Sequence, residues 1–447
     1  MDVRSSAKRF FRNVLVDSSL GFQLFSIVRQ AATLVVGIIL ARSTLSLFEI
    51  GIYEAWMYLG LFIMLFGVSG VLQALASRFS SISDAERGNV LWNVYLLILC
   101  LASIATLGLI AFKDFLESHI FNLAEIPHFT PAVIFLGLHF SASIFPFILL
   151  LQNKSTFFLP VSFVYGLSHI LAISVPLYLG LGLEMIVQAL LFFAIVQHIF
   201  IWYLLKGKGF GIMFSFLRPF LVISVPLILY LAIGYLAQIF DSWLVNWHYA
   251  DIETFAIFRY GARELPGALA LAGSFTTAAV VLLSKDLDHG LKRIQRGTRK
   301  FLHLFFPIAI VLMMTSPHLF TWVYGPSFSS SAFVFNTYLL LLISRWFFPH
   351  AILMAKEDNL VLFLTAVVEL ILNVGISLAL VYRFGLVGIA MGTVMAFFLE
   401  KCLLTYLVLR RHKIDFRHYV PIRLLGKYTM VTLVAYTFSL YWFGYSS

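Results

Sequence analysis

The chain has 447 residues, 61% of them hydrophobic and only 12% charged, with a mean hydropathy of +0.94. Soluble domains hold about 45 to 50% apolar residues, so the composition excludes an ordinary soluble protein and predicts an all-α polytopic membrane protein. The net charge of +10 would suit a nucleic-acid binder, but the basic residues lie between apolar runs, where they orient spans, and no nucleic-acid partner is expected.

The first nineteen residues, MDVRSSAKRFFRNVLVDSS, are polar and basic. No A-x-A cleavage site follows them, so the first apolar run is read as a retained span. Runs at 20–41, 50–76, 90–112, 132–151, 156–179 and 185–205 reach the roughly 20 residues that cross a hydrocarbon core of about 30 Å. A second set follows at 220–241, 254–283, 301–322, 333–355, 360–382 and 387–409. These are spans one to twelve, and 428–443 is a candidate thirteenth. Cys100 and Cys402 fall within spans and are read as small buried hydrophobes rather than disulfide or metal ligands.

With the N-terminus in the cytoplasm, the inside loops hold roughly 23 of the 31 Lys and Arg against roughly 3 in the outside loops. The strongest inside loops are SKDLDHGLKRIQRGTRK (284–300) and RRHKIDFRHYVPIR (410–423), both suited to touching anionic lipid.

The chain also resembles itself at an offset of about 205 residues. FEIGIY (48–53) falls near IETFAIF (252–258), with Glu49 on Glu253, and YLGLGLEMIVQ (178–188) falls on RFGLVGIAMGT (383–393). Six spans separate the matches, an even number, so two parallel six-helix halves related by an axis along the membrane normal are predicted. The predicted division is 1–212, 213–412 and a basic linker with an extra apolar segment, 413–447.

Prolines at 146, 160, 176, 226, 266, 307, 317 and 349 fall in or beside spans, where each removes a backbone donor and bends its helix. Histidines 139, 169, 198, 303, 318 and 350 also fall on spans or their ends and are read as hydrogen-bonded structural groups ahead of proton relays. There is no G-x-x-x-x-G-K-[ST] and no zinc spacing, so neither built-in ATP hydrolysis nor a metal site is expected. The longest outer loop, KDFLESHIFNLAEIPHFTP (113–131), has Glu117 and Glu125 but no catalytic constellation. An enzyme acting on lipid-linked sugars, a glycosyltransferase or polymerase, stays as the alternative of another class.

The ionisable residues inside spans carry the functional reading. Each costs about 2.5 to 3.5 kcal/mol at a helix centre unless it faces a cavity or a partner. Arg29 lies about nine residues into span one, roughly 14 Å deep. Arg259 and Arg263 lie four apart in span eight, which places both side chains on one helical face, where they can serve one site. Arg345 is in span ten, and Glu369 in span eleven is its candidate partner. Glu264 is placed to pair with one of the span-eight arginines or with a residue of another span. Cations outnumber nearby acids around Arg29, Arg259 and Arg263, which calls for an anionic ligand, and a lipid diphosphate is the anion a membrane protein most readily meets. Arg29, Arg259, Arg263 and Arg345 are therefore the predicted diphosphate-binding residues. Glu54, Glu369 and Glu400 are candidates for a coupling H+ or Na+, with no other cofactor expected.

GFQLFSIVRQAATLVVGIILARSTLSLFEIGIYEAW (21–56) resembles the opening of polysaccharide-unit (O-antigen type) flippases of the multidrug/oligosaccharidyl-lipid/polysaccharide exporter superfamily. Leu40, Ala41, Arg42, Leu45, Ser46, Glu49, Gly51 and Tyr53 stand where those proteins carry LAR-x-L-S-x-x-E-x-G-x-Y. FAIFRYGARELP is similar to their span-eight motif, with Arg263 at its arginine, but Ala256, Phe258 and Gly261 replace its usual Gly, Tyr and Ala. The resemblance implies a V-shaped, MATE-like pair of bundles in the bacterial inner membrane. It also implies alternating access for an undecaprenyl-diphosphate-linked glycan, with membrane lipids and a polysaccharide polymerase or other export machinery as partners. Lipid II flippases, usually of fourteen spans, and drug/organic-cation antiporters of the same superfamily are the alternatives. A twelve- or thirteen-span chain sits nearer the O-antigen type, and the arginine of span one speaks against a cationic cargo.

Overall fold

The structure is a computed structural model that describes residues 18–79, 82–207, 211–265 and 267–444. The readings made on the basic N-terminal segment and on Pro266 lie outside the described residues. The thirteen apolar runs lie largely on helix, and there is no strand among the described residues. Nine described helices are long and apolar enough to cross a membrane, ten if the bent pair Ser331–Arg345 and Pro349–Ala355 counts as one span. The longest, Asn359–His412, has 54 residues, about 80 Å at 1.5 Å per residue, far more than one bilayer needs. It is interrupted at Gly385 (φ 50, ψ −134), a conformation open to glycine and costly for a residue with a Cβ, and so supplies spans eleven and twelve.

Helix starts explain part of the internal repeat. Span two (Leu47–Ile63, continuing to Arg78) opens with a capping box in which Ser46 accepts from the Glu49 amide and Glu49 accepts from the Ser46 amide. Span eight opens at Ile252–Gly261, where the Asp251 carboxylate accepts from the amides of Glu253 and Thr254. Burial works against the Asp251 charge, but the bonds from Thr254 and Glu253 outweigh it and hold its pKa below the ordinary value. The matched Glu49 and Glu253 are thus both first-turn residues beside a side-chain cap, the position that favours an acid.

Contacts divide the chain into two units, Met1–Ile239 and Phe240–Ser447. The division falls inside the span-seven helix, Phe214–Tyr249. The Tyr58 hydroxyl donates to the Ile239 carbonyl at 2.9 Å and Ser69 bonds Tyr235 at 2.8 Å, so the first part of that helix packs with the N-terminal spans.

In the first unit, span one (Ser18–Arg42) lies along span five (Ser155–Tyr178). Span four (Phe129–Ser141, continuing to Leu151) packs on spans two and three (Arg87–Ala111), and span six (Gly182–Leu205) packs on four and five. Outward faces are apolar, with Phe163 60% and Phe192 68% exposed, as lipid-facing helices require. Cys100 and Cys402 are free but exposed, not buried as predicted. In a membrane protein an apolar thiol gains nothing extra from facing protein rather than lipid.

In the second unit the candidate thirteenth segment is a helix, Ile422–Trp442, of 21 residues, about 31 Å and long enough to cross. It docks on the helix Leu287–Val323, which carries span nine, and on span ten. Asn336 fixes it: its Oδ1 accepts from Ser316 at 2.7 Å, and its Nδ2 donates to the Met313 carbonyl at 3.1 Å and to Ser439 at 3.2 Å. Tyr436 bonds Thr337 and Tyr428 bonds His303, both at 2.9 Å.

Candidate functional site

Arg29 lies in the first unit and is exposed on span one, as are Gln23, Gln30 and Thr33. Gln23 and Gln30, one heptad apart, share one face, whereas Arg29, four residues after the buried Phe25 and three before the buried Ala32, flanks the packed face. Hydrocarbon offers a guanidinium no partner, so an exposed arginine within an apolar span calls for water or a ligand beside it. Among the described residues the Arg29 guanidinium has no ion-pair partner, and its charge acts on His139 and on the Tyr165 hydroxyl. Glu54 is buried in span two, 5% exposed, and is engaged within the protein.

The second unit treats its charges differently. Span eight is not one helix. It stops at Gly261 and resumes at Ala268–Lys285, so Arg263 and Glu264 lie in an unwound segment and the shared helical face expected for Arg259 and Arg263 does not exist. The break follows from the sequence ELPG: Leu265 precedes a proline, which disfavours helix at that residue, and Gly267 has φ +82. Arg263 instead places its guanidinium 4.6 Å from the centre of the Tyr260 ring, and both it and the half-buried Arg259 are engaged within the protein.

Gly261 ends the first half-helix where its Cα presses on span ten. A Cβ there would lie 2.4 Å from the Ser331 carbonyl oxygen.

Arg345 also sits at a break, at the end of the short helix Leu342–Arg345, before Pro349–Ala355 continues at a bend of 47°. Its expected partner was Glu369. The structure pairs it with Glu264, joining the two broken spans, and lays its guanidinium 4.6 Å from the Phe397 ring centre. The side chains of the pair are 16% and 31% exposed, so the Arg345 charge is matched by a largely enclosed carboxylate. Glu369 is half-buried and faces the charges of Glu400, Lys401, Arg345 and Asp241. Glu400 pairs with its neighbour Lys401 at 2.6 Å.

Asp241 was absent from the predicted residues. It lies on span seven, 3% exposed, and its Oδ2 accepts from the Thr393 hydroxyl at 2.5 Å and the Tyr338 hydroxyl at 3.4 Å. Asn373 donates to Thr393 at 3.0 Å. No hydrogen bond satisfies Oδ1 of Asp241 or Oδ1 of Asn373 among the described residues. A buried carboxylate with hydroxyl and amide oxygens around it and two unsatisfied oxygens is chemically suited to a proton or a hard monovalent cation. The apolar run of span seven ends at 241, but WLVNWHY continues its helix to Tyr249. The acid therefore looked like a terminal residue.

The sequence model of the lipid II flippase MurJ family matches residues 154–446, more than half of the chain. The chain belongs to the MurJ family. The whole fold is similar to that of a lipid II flippase MurJ solved in an inward closed conformation, with a TM-score of 0.67 and 17% identity over 95% of this chain and 93% of that one. It is also similar to an inward-facing MATE family multidrug transporter of the MOP superfamily (TM-score 0.62, 16% identity, 91% and 96% covered). A third likeness is to a MOP superfamily transporter from Pyrococcus furiosus (TM-score 0.60, 15% identity, 90% and 95% covered). No curated protein matches the chain by sequence. The superfamily expected from the sequence is thus the right one, and membership of a MurJ flippase family makes the protein a multi-pass transporter rather than an enzyme.

Proposed function

We propose that the protein moves a polyprenyl-diphosphate-linked saccharide across the bacterial inner membrane by alternating access, from the cytoplasmic to the outer leaflet, with its N-terminus in the cytoplasm. The observation that carries this reading is Arg29: a permanent cation exposed within an apolar span, without an ion-pair partner among the described residues. An arginine held this way suits the oxygens of a diphosphate, which it meets with several parallel donors. Family membership favours the peptidoglycan precursor lipid II over an O-antigen or capsule unit as the saccharide. The number of spans, which had pointed the other way, is a weaker guide than a match over residues 154–446. Coupling to H+ or Na+ is assigned to Asp241 with Thr393, Tyr338 and Asn373.

The test is Arg29→Ala in purified protein and in cells. One charge-assisted contact of about 1.5 to 3 kcal/mol corresponds to a loss of roughly one to two orders of magnitude in affinity for undecaprenyl-diphosphoryl saccharide. Rescue of a lipid II flippase depletion should fail while the protein remains inserted. Unchanged binding and full rescue by the variant would remove the cationic reading of span one. Rescue of an O-unit flippase deletion, but not of the lipid II flippase depletion, by the native protein would move the cargo to the O-antigen class.

A further inference from the structure

Glu369 is the acid of the second unit that the ion pairs leave over. It lies ten residues after the start of the helix Asn359–His412, about 15 Å along it, near the middle of the apolar run 360–382. The residue is half-buried. Among the described residues it has neither an ion-pair nor a hydrogen-bond partner. A carboxylate in that position is costly unless something offsets its charge.

The charges that face it are those of Asp241 on span seven, Arg345 on span ten, and Glu400 and Lys401 on span twelve. Both cations are already matched: Arg345 pairs with Glu264 of span eight, and Lys401 pairs with Glu400 at 2.6 Å. Their charged ends also lie 4.6 and 4.4 Å from the centre of one ring, Phe397, which adds an aromatic face to each. His350, in the continuation of span ten, faces the same two cations, and its Nε2 contacts the Thr276 hydroxyl at 3.3 Å. Three carboxyl groups, Glu264, Glu369 and Glu400, thus share two cations, and one carboxyl is left without a counter-charge.

A proton can supply that counter-charge, and the pairing decides which carboxyl takes it. On Glu400 it would strand Lys401, whose side chain is 9% exposed, and on Glu264 it would strand Arg345. A cation left buried without its partner is strongly destabilising. A proton on Glu369 strands nothing. A metal cation suits the position less well, because a hard cation takes several oxygen ligands. Hydroxyl groups of that kind gather around Asp241, whereas Glu369 shares no hydrogen bond with any oxygen among the described residues.

We infer that Glu369 is a proton-binding residue of the second unit: near neutral pH its carboxyl carries one proton, which leaves Arg345 to Glu264 and Lys401 to Glu400. Loss of that proton puts a third carboxylate beside the two cations, and the new charge competes for both pairs. The link that Glu264 and Arg345 make between two broken spans is then conditional on the state of Glu369. Neither the diphosphate reading of Arg29 nor the assignment of the coupling ion to Asp241 is needed for this site.

The experiment is infrared difference spectroscopy of the full chain in lipid nanodiscs, where a protonated carboxyl and a carboxylate absorb in separate bands. Near neutral pH, native protein minus E369Q should show the loss of one protonated carboxyl, and Asp241→Asn should keep that band. Raising the pH to about 10 should convert the band to carboxylate in native protein. At that pH the coupling of Glu369 with Arg345, read in a double-mutant cycle of E369Q and R345M, should rise to about tenfold in the folding equilibrium. If native minus E369Q near neutral pH shows lost carboxylate bands instead, Glu369 is ionised and the site is overturned, with the cargo reading untouched. A band that titrates without any rise in the coupling overturns the conditional link to Arg345. Should E369Q not fold, Glu369→Asp keeps the carboxyl one methylene shorter and should shift the protonated band, and an unshifted band overturns the site.

Discussion

The pairing of Glu264 with Arg345 is open to a direct energetic test. Both residues sit where a span is broken, Glu264 in the unwound segment after Gly261 and Arg345 at the 47° bend of span ten. At about 4 Å and an effective dielectric constant of about 20, two unit charges attract by about 4 kcal/mol. The side chains are 16% and 31% exposed, so water screens part of this and desolvation opposes more of it. The net coupling should be about 1 to 3 kcal/mol. Glu264→Gln alone should cost about 2 kcal/mol, roughly thirtyfold in the folding equilibrium, with the Phe397 ring, 4.6 Å from the Arg345 guanidinium, keeping the orphaned cation from costing more. A double-mutant cycle of Glu264→Gln and Arg345→Met, read by reversible SDS titration in mixed micelles, measures the coupling. The companion cycle of Glu369→Gln with Arg345→Met should couple by less than about 0.5 kcal/mol. Additivity in the first cycle, or a larger coupling in the second, would refute the pairing and restore Glu369 as the partner.

Asp241→Asn should fold, since Thr393 and Tyr338 can still bond its carbonyl oxygen. It should lower gradient-driven flipping in proteoliposomes by roughly tenfold or more, the worth of one buried charge contact, and abolish the response to both proton and sodium gradients; a variant that still responds to either moves the coupling site elsewhere. Gly261→Ala puts a Cβ 2.4 Å from the Ser331 carbonyl oxygen and 2.6 Å from Val334, and should cost about 1 to 3 kcal/mol of stability. Gly273→Ala, where a Cβ meets nothing within 4 Å, should be neutral or stabilising by up to about 1 kcal/mol in the same SDS titration, and equal effects at the two sites would contradict the close approach at Gly261.

The spans were legible because lipid makes a simple demand: about 20 apolar residues with every backbone group bonded inside the helix. What periodicity could not show is where a span stops being helical. ELPG in span eight and WFFP in span ten carry the proline that breaks each helix, yet prolines at 160, 176, 226, 307 and 317 sit inside unbroken helices. The difference lies in the packing of neighbours, which a single sequence does not display. The Arg345 partner was missed for a related reason. Glu264 and Arg345 are 81 residues apart, and their pairing depends on both breaks at once. Asp241 was hidden by a span end drawn eight residues before Tyr249, where the helix closes.

Counting cations against acids along the sequence does not show how each charge is accommodated in the fold. A charge within the bilayer costs about 2.5 to 3.5 kcal/mol, and this chain meets that cost in three ways. Arg345 is paired across two helix breaks, Asp241 is held by hydroxyl groups in a buried cluster, and Arg29 is exposed on span one. Of these three, Arg29 is the cation without a carboxylate partner among the described residues, and a guanidinium already matched to a carboxylate has little field left to offer an anion. The proposed cargo-binding role therefore rests on Arg29 of the first unit, while Arg345 joins two broken spans through Glu264.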